Sequence, residues 1–160
     1  MSAQVGIVMG SASDRPTMEH AASVLTELGV ESEMKVLSAH RTPDALREWV
    51  VGLEARGIKV VIAGAGAAAH LAGAVAGHTT LPVIGVPLAG PTSIGGGLDA
   101  LLSTVQMPRG VPVATVAVGE PGAANAGLLA AQILATGDKE LGERVRAHRK
   151  AMAAKVLASS

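Results

Sequence analysis

A histidine and an arginine stand side by side in residues 38–43, which read Ser-Ala-His-Arg-Thr-Pro. His40 can move a proton near neutral pH, and Arg41 can hold a phosphate through two parallel hydrogen bonds. The preceding residues read as a short strand, while Thr42 can cap a helix and Pro43 can begin one. We therefore expect both side chains to project from a strand-to-helix junction, although an isolated pair of this kind is more often a loop histidine beside a surface charge.

Residues 10–14, Gly-Ser-Ala-Ser-Asp, form a second loop with chemical potential. A glycine for a tight turn, two hydroxyls and the free backbone N–H groups of a following helix suit a phosphate. The Gly-Lys-Ser/Thr ending of a Walker loop is absent, and Asp14 would repel phosphate but could accept hydrogen bonds from sugar hydroxyls. An equally weighted alternative is that Ser13 or Asp14 only caps the helix.

Residues 64–70, Gly-Ala-Gly-Ala-Ala-Ala-His, match the glycine spacing of a dinucleotide-binding loop. The match falls on the third predicted strand rather than the first, and the acidic residue expected about twenty positions on is missing. The small residues would instead let a flat heterocycle approach the backbone. His70 then either contributes to the site or orients the loop. No spacing of acidic and histidine residues resembles a metal site.

The composition limits the partners and the compartment. A chain of 160 residues is long enough for one domain with a real core, so we expect a single domain over residues 1–160. Its 13 basic and 13 acidic residues cancel, which predicts no affinity for nucleic acid or anionic lipid. Glycines and prolines interrupt the longest apolar run, so no membrane span is expected. The absence of cysteine favours the cytoplasm.

The hydrophobic pattern predicts an α/β domain with a mostly parallel five-stranded sheet. Short apolar runs recur with helical segments between them, a rhythm typical of a doubly wound sheet whose ligands bind beyond the carboxyl ends of the strands. The predicted strands are residues 4–9, 31–36, 59–63, 82–86 and 111–118. A peripheral amphipathic helix over residues 138–157 either covers its own subunit or lies across a neighbour. With Trp49 the only aromatic residue, we expect subunit packing to complete the core.

Four motifs in this order resemble the N5-carboxyaminoimidazole ribonucleotide mutase family, the PurE family of purine biosynthesis. They are Met-Gly-Ser-Ala-Ser-Asp at 9–14, Ser-Ala-His-Arg-Thr-Pro at 38–43, Ala-Gly-Ala-Gly-Ala-Ala-Ala-His-Leu at 63–71 and Gln-Met-Pro-Arg-Gly-Val-Pro-Val at 106–113. The likeness covers nearly the whole chain and is weakest after about residue 144. Four ordered motifs are a far more specific signal than any one loop.

The resemblance implies a three-layer flavodoxin-like fold, a homo-octamer and no cofactor. It also implies an isomerase that converts N5-carboxyaminoimidazole ribonucleotide to 4-carboxy-5-aminoimidazole ribonucleotide, with His40 as the general acid and base. By the same resemblance, the ribonucleotide would be bound by Ser11, Asp14 and Arg41, and the site would be lined by Ser38, Ala65, Gly66 and His70. Arg109, a weaker assignment, would reach a neighbouring site.

Two other functions remain open from the sequence. Within the same family, the enzyme could carboxylate aminoimidazole ribonucleotide directly with CO₂. From another class, it could be a dinucleotide-binding redox domain or a nucleotide sensor. The misplaced glycine fingerprint opposes NAD, the scarcity of aromatic residues opposes flavin, and a sensor has no need of His40 beside Arg41.

Overall fold

The computed structural model describes residues 2–159 and contains one parallel five-stranded sheet. Its strands are β1 Val5–Met9, β2 Ser32–Val36, β3 Val60–Gly66, β4 Val83–Leu88 and β5 Ala114–Thr115. Its helices are α1 Arg15–Glu27, α2 Pro43–Val51, α3 Leu71–Ala76, α4 Leu98–Val105, α5 Glu120–Ala135 and α6 Lys139–Ala158. Short 3₁₀ turns lie at Ala12–Asp14, Glu54–Arg56 and Ile94–Gly96.

The strand order β2-β1-β3-β4-β5 is that of the flavodoxin-like fold, and this prediction is confirmed. β1 lies between β2 and β3 and is buried along its whole length, as its apolar sequence predicts. Because the chain leaves β1 toward β2 on one side and later adds β3 on the other, the loops after these strands diverge. That divergence opens a crevice at the carboxyl ends of the strands.

Helices cover both faces of the sheet. Met18 and Leu25 of α1 pack with alanines of α5 on one face, and Leu46 of α2 packs with Leu71 of α3 on the other. The contact between α1 and α5 is close because small residues form it. A Cβ added to Gly127 of α5 would lie 2.5 Å from a backbone oxygen of α1.

Two sequence predictions, one for β5 and one for the start of α2, are wrong. β5 spans two residues instead of the eight predicted at 111–118, since Pro112 has no N–H for the sheet and the strand lies at the edge. The Thr42 side chain does not cap α2, although the helix begins at Pro43 as predicted. Thr42 Oγ1 instead accepts a hydrogen bond from Ser38 N at 2.8 Å and donates one to Ser38 O at 3.1 Å, which closes the turn before the helix.

α6 packs on the domain only along its first half. Leu141 is buried, and Arg144 Nε donates to the carbonyl oxygen of Leu28 at the end of α1, at 2.8 Å. Further along, Met152 and Leu157 are more than half exposed. No helix within residues 2–159 combines the length and apolar character needed to cross a bilayer.

Candidate active site

A cleft of about 520 Å³ lies at the carboxyl ends of β1, β2, β3 and β4. This is the edge at which doubly wound sheets bind ligands. Seven of the eight residues predicted for a site line it, namely Ser11, Asp14, Ser38, His40, Arg41, Ala65 and Gly66. The eighth, His70, stands beside it and touches His40. Residues far apart in sequence therefore meet as the strand order requires.

The loop after β1 is closed by reciprocal hydrogen bonds. Ser11 Oγ accepts from Ser13 N at 3.3 Å, and Asp14 Oδ2 accepts from Ser11 N at 3.1 Å. The capping side chain is Ser11, on the 3₁₀ turn before α1, and Asp14 closes the box by accepting from the Ser11 N–H. The alternative that Ser13 or Asp14 caps the helix is wrong for α1, whose N-cap Asp14 makes no side-chain capping hydrogen bond. Burial raises the pKa of Asp14, while the Ser11 N–H and the charge of Arg41 lower it in part. A half-buried carboxylate thus lies in the wall of the cleft within the field of a guanidinium.

Arg41 ties the turn after β2 to the loop after β1. Its terminal Nη2 donates to Gly10 O at 2.9 Å, and its Nε donates to Ser38 Oγ at 3.4 Å. Ser38 Oγ also accepts from the backbone N of Arg41 at 3.1 Å. A guanidinium has further N–H groups beyond the two used here, and these remain available to an anion in the cleft.

His40 and His70 form a hydrogen-bonded pair. His40 Nε2 lies 2.8 Å from His70 Nδ1, and the two rings meet edge to face with their centroids 5.0 Å apart. Because one nitrogen must donate and the other accept, the tautomer of each ring determines that of the other. Within residues 2–159, His40 Nδ1 has no hydrogen-bond partner. His70 thus contacts His40 directly at the edge of the cleft.

The end of β3 and the loop after it are shaped by small residues. A Cβ on Gly64 would collide with the Met18 sulfur, and one on Gly66 would lie 3.1 Å from Leu88 O. Ala67 adopts a left-handed backbone with φ of 52°, and its carbonyl accepts from Ala69 N at 2.8 Å. This tight turn brings the chain back so that the following histidine reaches the turn after β2.

Sequence reasoning missed one wall of the cleft, residues 88–93, which follow β4. The signal was available, since a Gly-Pro-Thr-Ser segment after a buried strand is a loop at the ligand-binding edge. Arg109 is exposed and does not line the cleft of its own chain. The described part of the chain contains no group of three or more His, Asp or Glu side chains that could hold a metal ion.

Comparison with known proteins identifies relatives over almost the whole chain. Residues 4–155 match the family model for AIR carboxylase. The chain is 55% identical over 160 residues to N5-carboxyaminoimidazole ribonucleotide mutase of Bacillus subtilis, covering all of this chain and 98% of that protein. It is 54% identical over 155 residues to the enzyme of the same name from Escherichia coli K12, covering 97% of this chain and 90% of that one.

A solved structure agrees with the family model and with the sequence relatives. The crystal structure of Treponema denticola PurE superposes with a TM-score of 0.87 at 32% identity, over 97% of this chain and 94% of that chain. The motifs that suggested the family from sequence lie at the strand ends that form the cleft. Full-length identity and fold together confirm the resemblance, and the chain belongs to the AIR carboxylase family, the family of PurE.

Proposed function

We propose that this chain is the isomerase that converts N5-carboxyaminoimidazole ribonucleotide to 4-carboxy-5-aminoimidazole ribonucleotide in purine biosynthesis. Curated relatives at 53–55% identity bear the name of this mutase. The observation that carries the chemical part of the proposal is the position of His40. It lies in one cleft with the anion-suited loop after β1 and with Arg41.

Substrate binding is assigned to the loops after β1, β2 and β3. Arg41 and the hydroxyls of Ser11 and Ser38 hold the 5′-phosphate beside the start of α1, where backbone N–H groups favour an anion. Asp14 accepts hydrogen bonds from the ribose hydroxyls. The imidazole ring lies against the small surface of Ala65 and Gly66. Binding energy gained at the phosphate then positions the reacting ring.

His40 carries the proton in the proposed reaction. It donates a proton to the exocyclic nitrogen as the N–C bond breaks and CO₂ leaves. Carbon C4 then attacks the retained CO₂, a C–C bond forms, and His40 removes the proton from C4. One proton leaves and returns, no electron acceptor is needed, and no cofactor is proposed.

His70 orients the general acid and base. Its hydrogen bond to Nε2 of His40 leaves Nδ1 of His40 as the nitrogen that meets the substrate. When His40 carries a proton on both nitrogens, the Nε2–H donates to His70, which stabilises the charged form between the two transfers.

The test is turnover by purified protein supplied with N5-carboxyaminoimidazole ribonucleotide, followed by formation of the C4 product. We expect His40→Asn to lower kcat by roughly 10²–10⁴-fold, the range typical of a lost general acid or base, while ribonucleotide binding persists. His78→Asn is the matched control, because His78 is exposed and lies outside the cleft. Near-normal turnover by His40→Asn would show that His40 is not the general acid and base.

Direct carboxylation of aminoimidazole ribonucleotide with CO₂ is the second candidate, favoured by the description of the matching family model. Supplying the protein with aminoimidazole ribonucleotide and bicarbonate in one reaction, and with the N5-carboxylated compound in another, separates the two. Faster product formation from the N5-carboxylated compound supports the mutase.

We further propose one domain over residues 1–160, a homo-octamer and a cytoplasmic location. Exposed apolar side chains on two helices support assembly. Leu98 and Leu102 of α4, and Met152 and Leu157 of α6, are all more than half exposed in one chain. This supports the reading of α6 as an arm across a neighbour along its second half. Light scattering measures the assembly, and a monomeric mass would contradict it.

A further inference from the structure

The wall of the cleft formed by residues 88–93 contains a rigid turn with an unpaired hydroxyl. Ser93 N donates to Gly90 O at 3.0 Å, and Gly90 N donates to Ser93 Oγ at 2.7 Å. Pro91 fixes one backbone angle between them. Thr92, at the tip of this turn, is exposed and lines the cleft, and its side chain makes no hydrogen bond within residues 2–159.

The first turn of α4 holds this turn in place. Asp99 Oδ2 accepts a hydrogen bond from Ile94 N at 3.0 Å, directly after Ser93. Three consecutive glycines with positive φ, from Gly95 to Gly97, then lead into the helix. The turn is thus anchored at both ends, and Thr92 is a preorganised hydrogen-bonding group rather than a residue of a slack loop.

The strand order places Thr92 at the opposite end of the cleft from the proposed phosphate site. From β1 to β4 the sheet takes two strand spacings, which is roughly 10 Å. The carboxyl end of β3, against which the imidazole is assigned, lies between them. Ala65 pairs with Pro87, so β4 ends beside the ring-binding surface and continues from there into the turn. A ribonucleotide whose phosphate binds at Arg41 therefore directs its base toward this wall.

We propose that Thr92 donates a hydrogen bond to the carboxylate at the imidazole end of the substrate and so distinguishes carboxylated from uncarboxylated ribonucleotides. This inference rests on the proposed function. The carboxylate is the one charged group at the base end of the ligand, and residues 88–93 carry no charged side chain. Ser93 Oγ accepts a hydrogen bond from Gly90 N, which fixes the position of that hydroxyl within the turn, whereas the Thr92 hydroxyl is not held in this way and can rotate toward the ligand.

The experiment compares two ligands in three variants. The KM for 4-carboxy-5-aminoimidazole ribonucleotide is measured in the reverse direction, and 5-aminoimidazole ribonucleotide, which lacks the carboxylate, serves as a competitive inhibitor. For Thr92→Val we expect the KM to rise about tenfold, as for a lost hydrogen bond to a charged group, with kcat and the inhibition constant changed less than about twofold. Thr92→Ser keeps the hydroxyl and should restore the KM. Thr80→Val is the control, since Thr80 is exposed and lies outside the cleft.

The KM and the inhibition constant of Thr92→Val together test the role of Thr92. An equal rise in KM and inhibition constant for Thr92→Val would show that the turn only shapes the cleft, and no change in either would show that Thr92 does not meet the ligand. Both results overturn the inference and leave the proposed function intact. If the unmodified protein neither turns over the carboxylated compound nor is inhibited by the uncarboxylated one, the proposed function itself fails, and the inference fails with it.

Discussion

Replacing Gly127 by alanine tests the closeness of α1 and α5. An added Cβ would lie 2.5 Å from Ala21 O and 3.2 Å from Ala21 C, both backbone atoms of a fully buried residue of α1. A helix backbone cannot yield as a flexible side chain can, so the two helices must separate. Since α1 begins at the loop after β1, the change acts on the proposed phosphate site as well as on the core.

The size of the effect follows from two opposing contributions. Overpacking a buried contact costs about 1–3 kcal/mol, whereas replacing glycine by alanine inside a helix stabilises by up to about 1 kcal/mol. A Cβ 2.5 Å from a backbone oxygen belongs in the upper part of the overpacking range, about 2–3 kcal/mol, so after a gain of about 1 kcal/mol we expect Gly127→Ala to lower the free energy of unfolding by about 1–2 kcal/mol. With about 2.1 cal/mol/K of unfolding entropy per residue, this chain should lose about 3–6 °C in Tm.

The assay is thermal unfolding at fixed protein concentration, because assembly makes Tm depend on concentration. Gly142→Ala in α6 is the matched control. Its added Cβ would lie 3.6 Å from the flexible Arg146 guanidinium, so the propensity gain is unopposed and Tm should rise by about 1–3 °C. A Gly127→Ala protein that melts at or above the unmodified one would refute the close packing of these helices.

Two further predictions concern Asp14 and Arg144. Burial raises the pKa of Asp14 above its usual 3.8, so folding disfavours its charged form, and the contribution of Asp14 to stability, present at low pH, is lost as the pH rises through the pKa of the folded state. Asp14→Asn should therefore gain stability relative to the unmodified protein as the pH rises from about 3 to 7 in urea unfolding, and a constant difference would contradict this. Arg144→Met removes the hydrogen bond to Leu28 O and should speed amide exchange in α6 by roughly tenfold while exchange in α1 is unchanged. Equal amide-exchange rates in α6 of the two proteins would show that the hydrogen bond from Arg144 to Leu28 O does not hold α6 in place.

The sequence predicted the first four strands well. β1, β3 and β4 are buried along most of their length and are therefore apolar, whereas β2 lies at the edge of the sheet, is only partly buried and carries Glu33 and Lys35. β1 and β2 begin within one residue of the predicted positions, and β3 and β4 extend two or three residues further than predicted. The same local logic located the loops after β1, β2 and β3, since glycines, hydroxyls and Pro43 punctuate the chain there. It failed for β5, where Pro112 and an edge position decide the pairing, and for the Thr42 side chain, whose partner is the preceding turn.

The contacts that make these loops one site depend on tertiary structure. His40 and His70 are thirty residues apart, and Arg41 reaches Gly10 across thirty-one. No local pattern specifies such pairs, because they follow from the strand order and from which face of the sheet each helix covers. The turn containing Thr92 entered the cleft for the same reason, since β4 lies beside β3. The sequence by itself therefore determined which segments could do chemistry, and packing of the sheet determined which atoms of those segments meet.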